Sequence, residues 1–263
     1  MTLTIQDAIT TIISAVPHAP IAGTADTVKI GDPLQPLTGI VTTFLANIEV
    51  IEAAVQHKAN LIIAHEPLFY NHLDQADWLS NNAVYLAKRK LIEDNGLVVW
   101  RFHDYWHSLR PDPVMVGMVQ ALGWEAYVNS ENYQCRIPPV SFRELVNHVK
   151  SKLDVPTVRV IGNLDMTCQT VALMPGFPPP LYQIGAFEPP EVDVLITGEI
   201  HEWETSEYAR DAAYLRKNKA LIVTEHAASE EPGIKAIGTW LQTLLPGTPV
   251  TFVPTSRIFQ YIT

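Results

Sequence analysis

Four short apolar segments of this chain each end on histidine together with glutamate or aspartate, and this pattern limits the folds that the chain can adopt. The segments lie at residues 60–64, 97–102, 192–196 and 220–224. Short runs rich in Ile, Leu and Val are typical of buried strands in a mostly parallel sheet. Parallel strands end at one edge of the sheet, where open α/β folds build their sites. We therefore expect the polar side chains that follow these strands to meet at such an edge, although they are far apart in the sequence.

Strand and helix signals alternate along the chain. A strand over residues 39–45, a helix over 48–57 and the strand at 60–64 form a predicted βαβ unit. In the second half, Ser141 and Glu144 form the sequence pattern of a capping box, which marks the start of a helix. Alternation of this kind predicts an α/β fold in which helices flank a largely parallel sheet in each half.

The predicted fold therefore consists of two α/β domains. A polar, turn-rich stretch at residues 129–133 marks the boundary, so that the domains span residues 1–130 and 131–263. A crossover of the last elements of the chain onto the first domain is an alternative that the sequence leaves open.

Composition excludes several classes of protein. With 263 residues, of which 47% are hydrophobic and 17% charged, the chain is typical of a globular protein. A formal net charge of −10 and the lack of a Lys/Arg-rich segment argue against a nucleic-acid partner. No run approaches the roughly 20 apolar residues of a membrane span, and the first residues do not resemble a signal peptide. We therefore expect a cytoplasmic protein in which Cys135 and Cys168 are structural.

Five of the nine histidines fall within a few residues of a predicted strand end, and these are His65, His103, His107, His201 and His226. Imidazole and carboxylate ligands without thiolate suit Zn²⁺, Fe²⁺, Mn²⁺, Ni²⁺ or Co²⁺. His226 and Glu230 would share one face if that stretch is helical. More than four candidate ligands is too many for one tetrahedral site, so the pattern favours two metal ions.

In this order the motifs resemble those of the Nif-three-like family, whose members are often labelled GTP cyclohydrolase 1 type 2 homologs. The resemblance covers nearly the whole chain and includes the His-Glu-Pro at residues 65–67. It implies two metals in a cleft between two α/β domains, and a toroidal hexamer. Carried over by position, the metal ligands are His65, Glu66, His107, His226 and Glu230, with His103 as an additional ligand or a group behind the ligands.

Two positions depart from the family pattern. Glu66 stands where the family has a second His, and His107 stands where it has Asp. The two changes offset each other, so that three nitrogens, two carboxylates and a formal ligand charge of −2 remain. We interpret this as a rearranged site that still binds metal; the alternative is a decayed site of hydrogen-bonded side chains.

Two functions from different classes fit these residues. The first is a dinuclear metal hydrolase that acts on a small molecule by cyclohydrolase- or amidohydrolase-type chemistry, with Glu199, His201 or Glu225 carrying the proton. The second is a non-catalytic metal-binding interaction protein or metal-handling protein. The sequence does not decide between them, since a fold-level resemblance does not determine a substrate.

The offset between positions 66 and 107 can be tested directly. The double variant Glu66→His with His107→Asp should retain metal, because the ligand charge is unchanged, whereas each single variant changes that charge and should bind metal more weakly. Metal affinity is measured by competition with a chelator. If the single variants bind as tightly as the parent, neither side chain is a ligand.

Overall fold

The computed structural model describes residues 3–262 and divides into two compact units. The first comprises Met1–Pro113 and Ile234–Ile258, and the second comprises Val114–Gly233 and Phe259–Thr263. The boundary placed at residues 130 and 131 from the sequence lies within the second unit. Each unit contains one five-stranded sheet.

The first unit is built on a sheet with the strand order β1-β4-β3-β2-β10. Its elements are α1 (Ile5–Ser14), β1 (Val28–Ile30), β2 (Ile40–Thr43), α2 (Ile48–Gln56), β3 (Leu61–Ala64), α3 (Ala83–Asp94), β4 (Val98–Arg101), α4 (Asp104–Ser108) and β10 (Val250–Phe252). The strands β4, β3, β2 and β10 are parallel, and β1 is an antiparallel edge strand. The last strand of the chain thus completes the sheet of the first unit.

The second unit has the strand order β5-β7-β8-β9-β6. Its elements are α5 (Pro113–Leu122), β5 (Gln134–Ser141), α6 (Phe142–Lys152), β6 (Arg159–Ile161), β7 (Thr167–Met174), α7 (Pro180–Phe187), β8 (Val194–Thr197), α8 (Glu207–Tyr214), β9 (Ala220–Val223) and the first part of α9 (His226–Leu244). The central strands β7, β8 and β9 are parallel, and both edge strands are antiparallel. The predicted α/β fold with two helix-flanked sheets is confirmed.

Strands β3, β4, β8 and β9 are buried along their whole length, which explains why most of their residues are apolar. All four residues of β3, β4, β8 and β9 are buried. In the first unit, Ile62 and Val99 pack with Ile51 of α2 and Ile92 of α3 in one apolar cluster. Because these strands are buried on both faces, their polar residues lie at the strand ends or just beyond them.

Helix boundaries follow local capping signals. The capping box predicted at Ser141 is confirmed, with both reciprocal hydrogen bonds to Glu144 present. Helix α3 begins at Ala83, because the side chain of Asn82 caps it, and a short 3₁₀ turn, Asp77–Leu79, precedes it. Helix α9 begins at His226, so the stretch that carries His226 and Glu230 is helical. Among residues 3–262, no helix is long and apolar enough to cross a membrane.

Gly31, just after β1, lies so close to the start of β4 that a side chain there would overlap it. Gly31 has φ +94°, and a Cβ there would overlap the carbonyl oxygen of Leu97 and lie 2.9 Å from Val98 Cα. Gly31→Ala should lower the free energy of unfolding by about 2–5 kcal/mol, from left-handed backbone strain and steric overlap together. Urea denaturation measures the change.

Gly23→Ala is the matched control for Gly31→Ala. Gly23 has a similar φ of +71°, but apart from Gly23 and its two chain neighbours, no heavy atom of the described residues lies within 4 Å of a Cβ placed there. The control should lose only the about 1–2 kcal/mol of backbone strain. Equal losses at the two positions would contradict the steric argument.

Candidate metal centre

Three histidines of the first unit lie together at the carboxyl ends of two neighbouring strands. Strands β3 and β4 are parallel, with Ala64 opposite Arg101, so His65 and His103 follow at the same edge. One possible ligand atom from each of His65, His103 and His107 lies within 4.8 Å of the others. His65 is fully buried, whereas the other two imidazoles are partly exposed. The structure therefore brings together three imidazoles that the sequence singled out.

The helix that presents His107 was not predicted from the sequence. The five-residue helix α4 directs the His107 N–H to the carbonyl oxygen of His103 at 2.9 Å, so the two side chains share one face. Its start is capped by the buried carboxylate of Asp26, which accepts from the N–H groups of His103 at 2.9 Å and Tyr105 at 2.8 Å. Burial raises the pKa of Asp26, and these two N–H groups oppose the shift. Sequence reasoning missed Asp26, since it lies 77 residues before His103.

Each of the three imidazoles has an oxygen acceptor beside its Nδ1 atom. The acceptors are the carbonyl oxygen of Phe102 for His65 at 3.3 Å, Asp104 Oδ1 for His103 at 2.8 Å, and Asp112 Oδ2 for His107 at 2.9 Å. An acceptor at Nδ1 favours the tautomer with its hydrogen there, and that tautomer presents the Nε2 lone pair to a metal. Metal-binding histidines are normally oriented in this way.

Asp104, the acceptor beside His103, is itself held in place by further hydrogen bonds. Its hydrogen bond with His103 holds the pKa of the Asp104 carboxyl well below its usual value; burial opposes the shift, while the Thr24 hydroxyl and the Ala25 N–H reinforce it. Asp104 is therefore ionised over the whole physiological pH range and remains an acceptor. No spacing in the sequence distinguished Asp104 or Asp112 from other acidic residues.

Glu66 lies beside the imidazoles with its two carboxylate oxygens pointing to different neighbours. Its Oε1 is 3.8 Å from Nε2 of His103, and its Oε2 is 3.8 Å from Nη2 of Arg101. The Glu66 side chain is 14% exposed. A carboxylate that can bind metal thus lies beside the three imidazoles of the first unit.

A second cluster of predicted ligands forms at the start of α9 in the second unit. His226 and Glu230 are one helical turn apart, with His226 Nε2 3.4 Å from Glu230 Oε2. Nδ1 of His226 lies 3.1 Å from Glu199 Oε2. This hydrogen bond lowers the pKa of Glu199 against the opposing effect of burial. Gly176, with φ +72°, passes so close that a Cβ there would overlap Oε1 of Glu230.

The two other predicted proton carriers lie near this second cluster along the chain. Glu225 precedes His226 and accepts a hydrogen bond from the Tyr261 hydroxyl at 2.9 Å. His201 stacks on Trp203, with ring centroids 4.8 Å apart, and its Nδ1 lies 2.5 Å from Glu204 Oε2. Glu199 contacts His226 directly. Roles for these residues in proton transfer stay predictions.

The contact between His107 and Asp112 generates a testable prediction. Asp112→Asn keeps the shape of the side chain, but its amide can donate to Nδ1 and favour the tautomer whose Nε2 cannot bind metal. Zinc affinity, measured by chelator competition, should fall by about 10- to 100-fold. Asp165→Asn, at an exposed ion pair with Arg143, is the control and should bind zinc like the parent. Unchanged affinity in Asp112→Asn would contradict an orienting role of Asp112 toward a metal-bound His107.

Comparison with known proteins agrees with this fold. A GTP cyclohydrolase 1 type 2 homolog from Clostridium acetobutylicum is 22% identical over 227 residues, which cover 81% of this chain and 80% of the relative. A hypothetical protein from Staphylococcus aureus has a similar structure, with a TM-score of 0.79, 18% identity and 100% of each chain covered. A Bacillus cereus protein related to NIF3 gives a TM-score of 0.80 at 15% identity, with 99% of each chain covered.

The family model matches the chain over almost its whole length. The model described as Duf34/NIF3 (NGG1p interacting factor 3) spans residues 6–257. This match confirms the resemblance read from the order of the histidine and glutamate motifs. The chain therefore belongs to the Duf34/NIF3 family.

Proposed function

We propose that this protein binds divalent transition metal ions through its two His/Glu clusters and uses them to hydrolyse a small molecule. The observation that carries the proposal is the set of acceptors at Nδ1 of His65, His103 and His107. Three imidazoles that each have an acceptor at Nδ1, with ligand atoms within 4.8 Å of one another, match the way in which protein metal sites orient their histidines.

The donor set supports a transition metal held by nitrogen and oxygen. Burial raises the pKa of Cys135 and of Cys168 to about 12, so neither thiol supplies a thiolate at neutral pH. Imidazole and carboxylate donors suit Zn²⁺, Fe²⁺, Mn²⁺, Ni²⁺ or Co²⁺. We propose two ions per chain, because the two clusters together offer more donors than one tetrahedral site uses. When bound, such ions supply Lewis acidity and lower the pKa of a coordinated water toward about 7.

The chain's own residues would orient the ligands and move protons. Glu199 accepts a hydrogen bond from His226 and stays ionised, which suits an orienting role for that histidine. His201 is exposed and stacks on Trp203, so its imidazole is accessible to solvent and to a small molecule. We therefore propose His201 as the proton carrier, with Glu225 as the second candidate.

The name of the Clostridium acetobutylicum relative makes ring opening of GTP one reaction to test. We propose a small cyclic or amide-like substrate in general, and a homo-oligomer, a hexamer by family resemblance. The two free cysteines suit a reducing compartment such as the cytoplasm. A metal-handling or metal-dependent interaction protein is the alternative that the experiment below distinguishes.

Elemental analysis and a turnover screen test the proposal. Protein purified without chelators should carry one to two equivalents of transition metal, and hydrolysis should increase with pH through a pKa near 7, as expected for a coordinated water. Glu230→Ala should lose both metal and turnover. His201→Ala should keep its metal and turn over about 10²- to 10⁴-fold more slowly, the usual contribution of a general acid or base.

Two outcomes contradict the hydrolase proposal. A protein that stays metal-free and ignores added Zn²⁺ and Mn²⁺ has no metal site. A fully metallated protein that hydrolyses no member of a panel of nucleotides, amides and esters is better described by the metal-handling alternative.

A further inference from the structure

A fully buried arginine lies directly behind the metal-ligand candidates of the first unit. Arg101 is the last residue of β4, opposite Ala64, and its side chain is 1% exposed. Arginine is rarely buried to this extent unless its charge is paired and its N–H groups have acceptors. The groups that Arg101 contacts must therefore balance its charge and accept hydrogen bonds from its N–H groups.

All three nitrogens of the guanidinium group face the segment that carries two ligand candidates. Nε donates to the carbonyl oxygen of His65 at 3.2 Å, and Nη1 donates to the carbonyl oxygen of His72. Nη2 is buried, makes no hydrogen bond within the described residues, and lies 3.8 Å from Glu66 Oε2. A planar fork of donors matches this arrangement of two carbonyls and a carboxylate, and a lysine could not reproduce it.

We propose that Arg101 is a positioning residue of the metal centre, which holds Glu66 so that Oε2 faces the guanidinium and Oε1 faces the imidazoles. The inference rests on the proposed metal site. Glu66 already lies with Oε1 3.8 Å from His103 Nε2 on one side and Oε2 3.8 Å from Arg101 on the other. The guanidinium also balances the charge of the carboxylate in a largely buried position. A carboxylate at position 66 is thus matched to a cation behind it.

A purely structural role for Arg101 is the competing explanation, since other buried charges hold the same segment. Lys88, 3% exposed, donates from Nζ to the carbonyl oxygen of Leu68 at 2.7 Å. Asp74 accepts from the Phe69 N–H at 2.6 Å and pairs with Lys29 at 3.2 Å. Lys88 serves as a control, because it is a buried cation that anchors the same segment through the backbone of Leu68.

A double-mutant cycle with Co²⁺ as the probe separates the two explanations. The full-length parent, Arg101→Lys, Glu66→Gln and the double variant are titrated with Co²⁺ at pH 7, together with Lys88→Met. Affinity and the visible absorption spectrum of bound Co²⁺, which reports coordination geometry, are recorded for each. Arg101→Lys should weaken Co²⁺ binding by about 10- to 100-fold and change the spectrum, as expected for loss of a group that orients a ligand.

The cycle predicts coupling between the two residues. In the Glu66→Gln background, Arg101→Lys should change the affinity by less than about threefold, because the carboxylate that it positions is absent. Lys88→Met should melt at a lower temperature than the parent but retain the parent's spectrum and its affinity within about threefold. An equal effect of Arg101→Lys in both backgrounds, or an effect of Lys88→Met as large as that of Arg101→Lys, overturns the inference.

Different results of the Co²⁺ titration contradict this inference and the proposed metal site. A parent protein that binds no Co²⁺ contradicts the metal site itself, whereas a parent that binds Co²⁺ without coupling between Arg101 and Glu66 contradicts only the inference. If Arg101→Lys is insoluble, Arg101→Gln takes its place in the cycle. If both are insoluble, Glu66→Asp tests the geometry, since a carboxylate one methylene shorter cannot reach both sides. Unchanged Co²⁺ affinity and spectrum in Glu66→Asp then overturn the inference.

Discussion

Parallel pairing of β3 with β4 is the interaction on which the candidate metal centre of the first unit depends. The register that sets Ala64 opposite Arg101 brings His65 and His103 to the same edge of the sheet. It also directs the Arg101 side chain to the segment that follows β3. A shift of one residue would turn each of these side chains to the opposite face of the sheet. The apolar residues of both strands, which are buried throughout, prevent such a shift.

The same edge of the sheet concentrates buried charge. Asp26, Lys88 and Arg101 are each at least 95% buried, and each is held by backbone groups of the first unit. Removing one partner of a buried charged pair commonly lowers the free energy of unfolding by about 3–5 kcal/mol, because the other charge is left without compensation. Each of these three residues therefore needs its own hydrogen-bond partners. Their hydrogen bonds go to segments that carry histidine ligand candidates. Stability of the first unit and the geometry of its candidate site therefore depend on the same contacts.

In the second unit, the start of a helix positions the ligand candidates, whereas strand register does so in the first unit. Since α9 begins at His226, the side chains of His226 and Glu230 lie on one face, one turn apart. Glu199, just after β8, orients the imidazole, and Gly176 leaves the space that Glu230 occupies. Both clusters thus combine an imidazole with a carboxylate acceptor at Nδ1, although different elements present them.

The sequence alone determined which segments form strands and helices and which residue types follow them. These features are local, because hydrophobic periodicity and capping boxes act over a few residues; the α/β class, the capping box at Ser141 and the family could therefore be predicted. Only the tertiary structure decided which acceptor each imidazole contacts, that Asp26 caps α4 from 77 residues away, and that Arg101 lies behind Glu66. Such contacts depend on strand register and side-chain packing between distant segments, which no local pattern encodes.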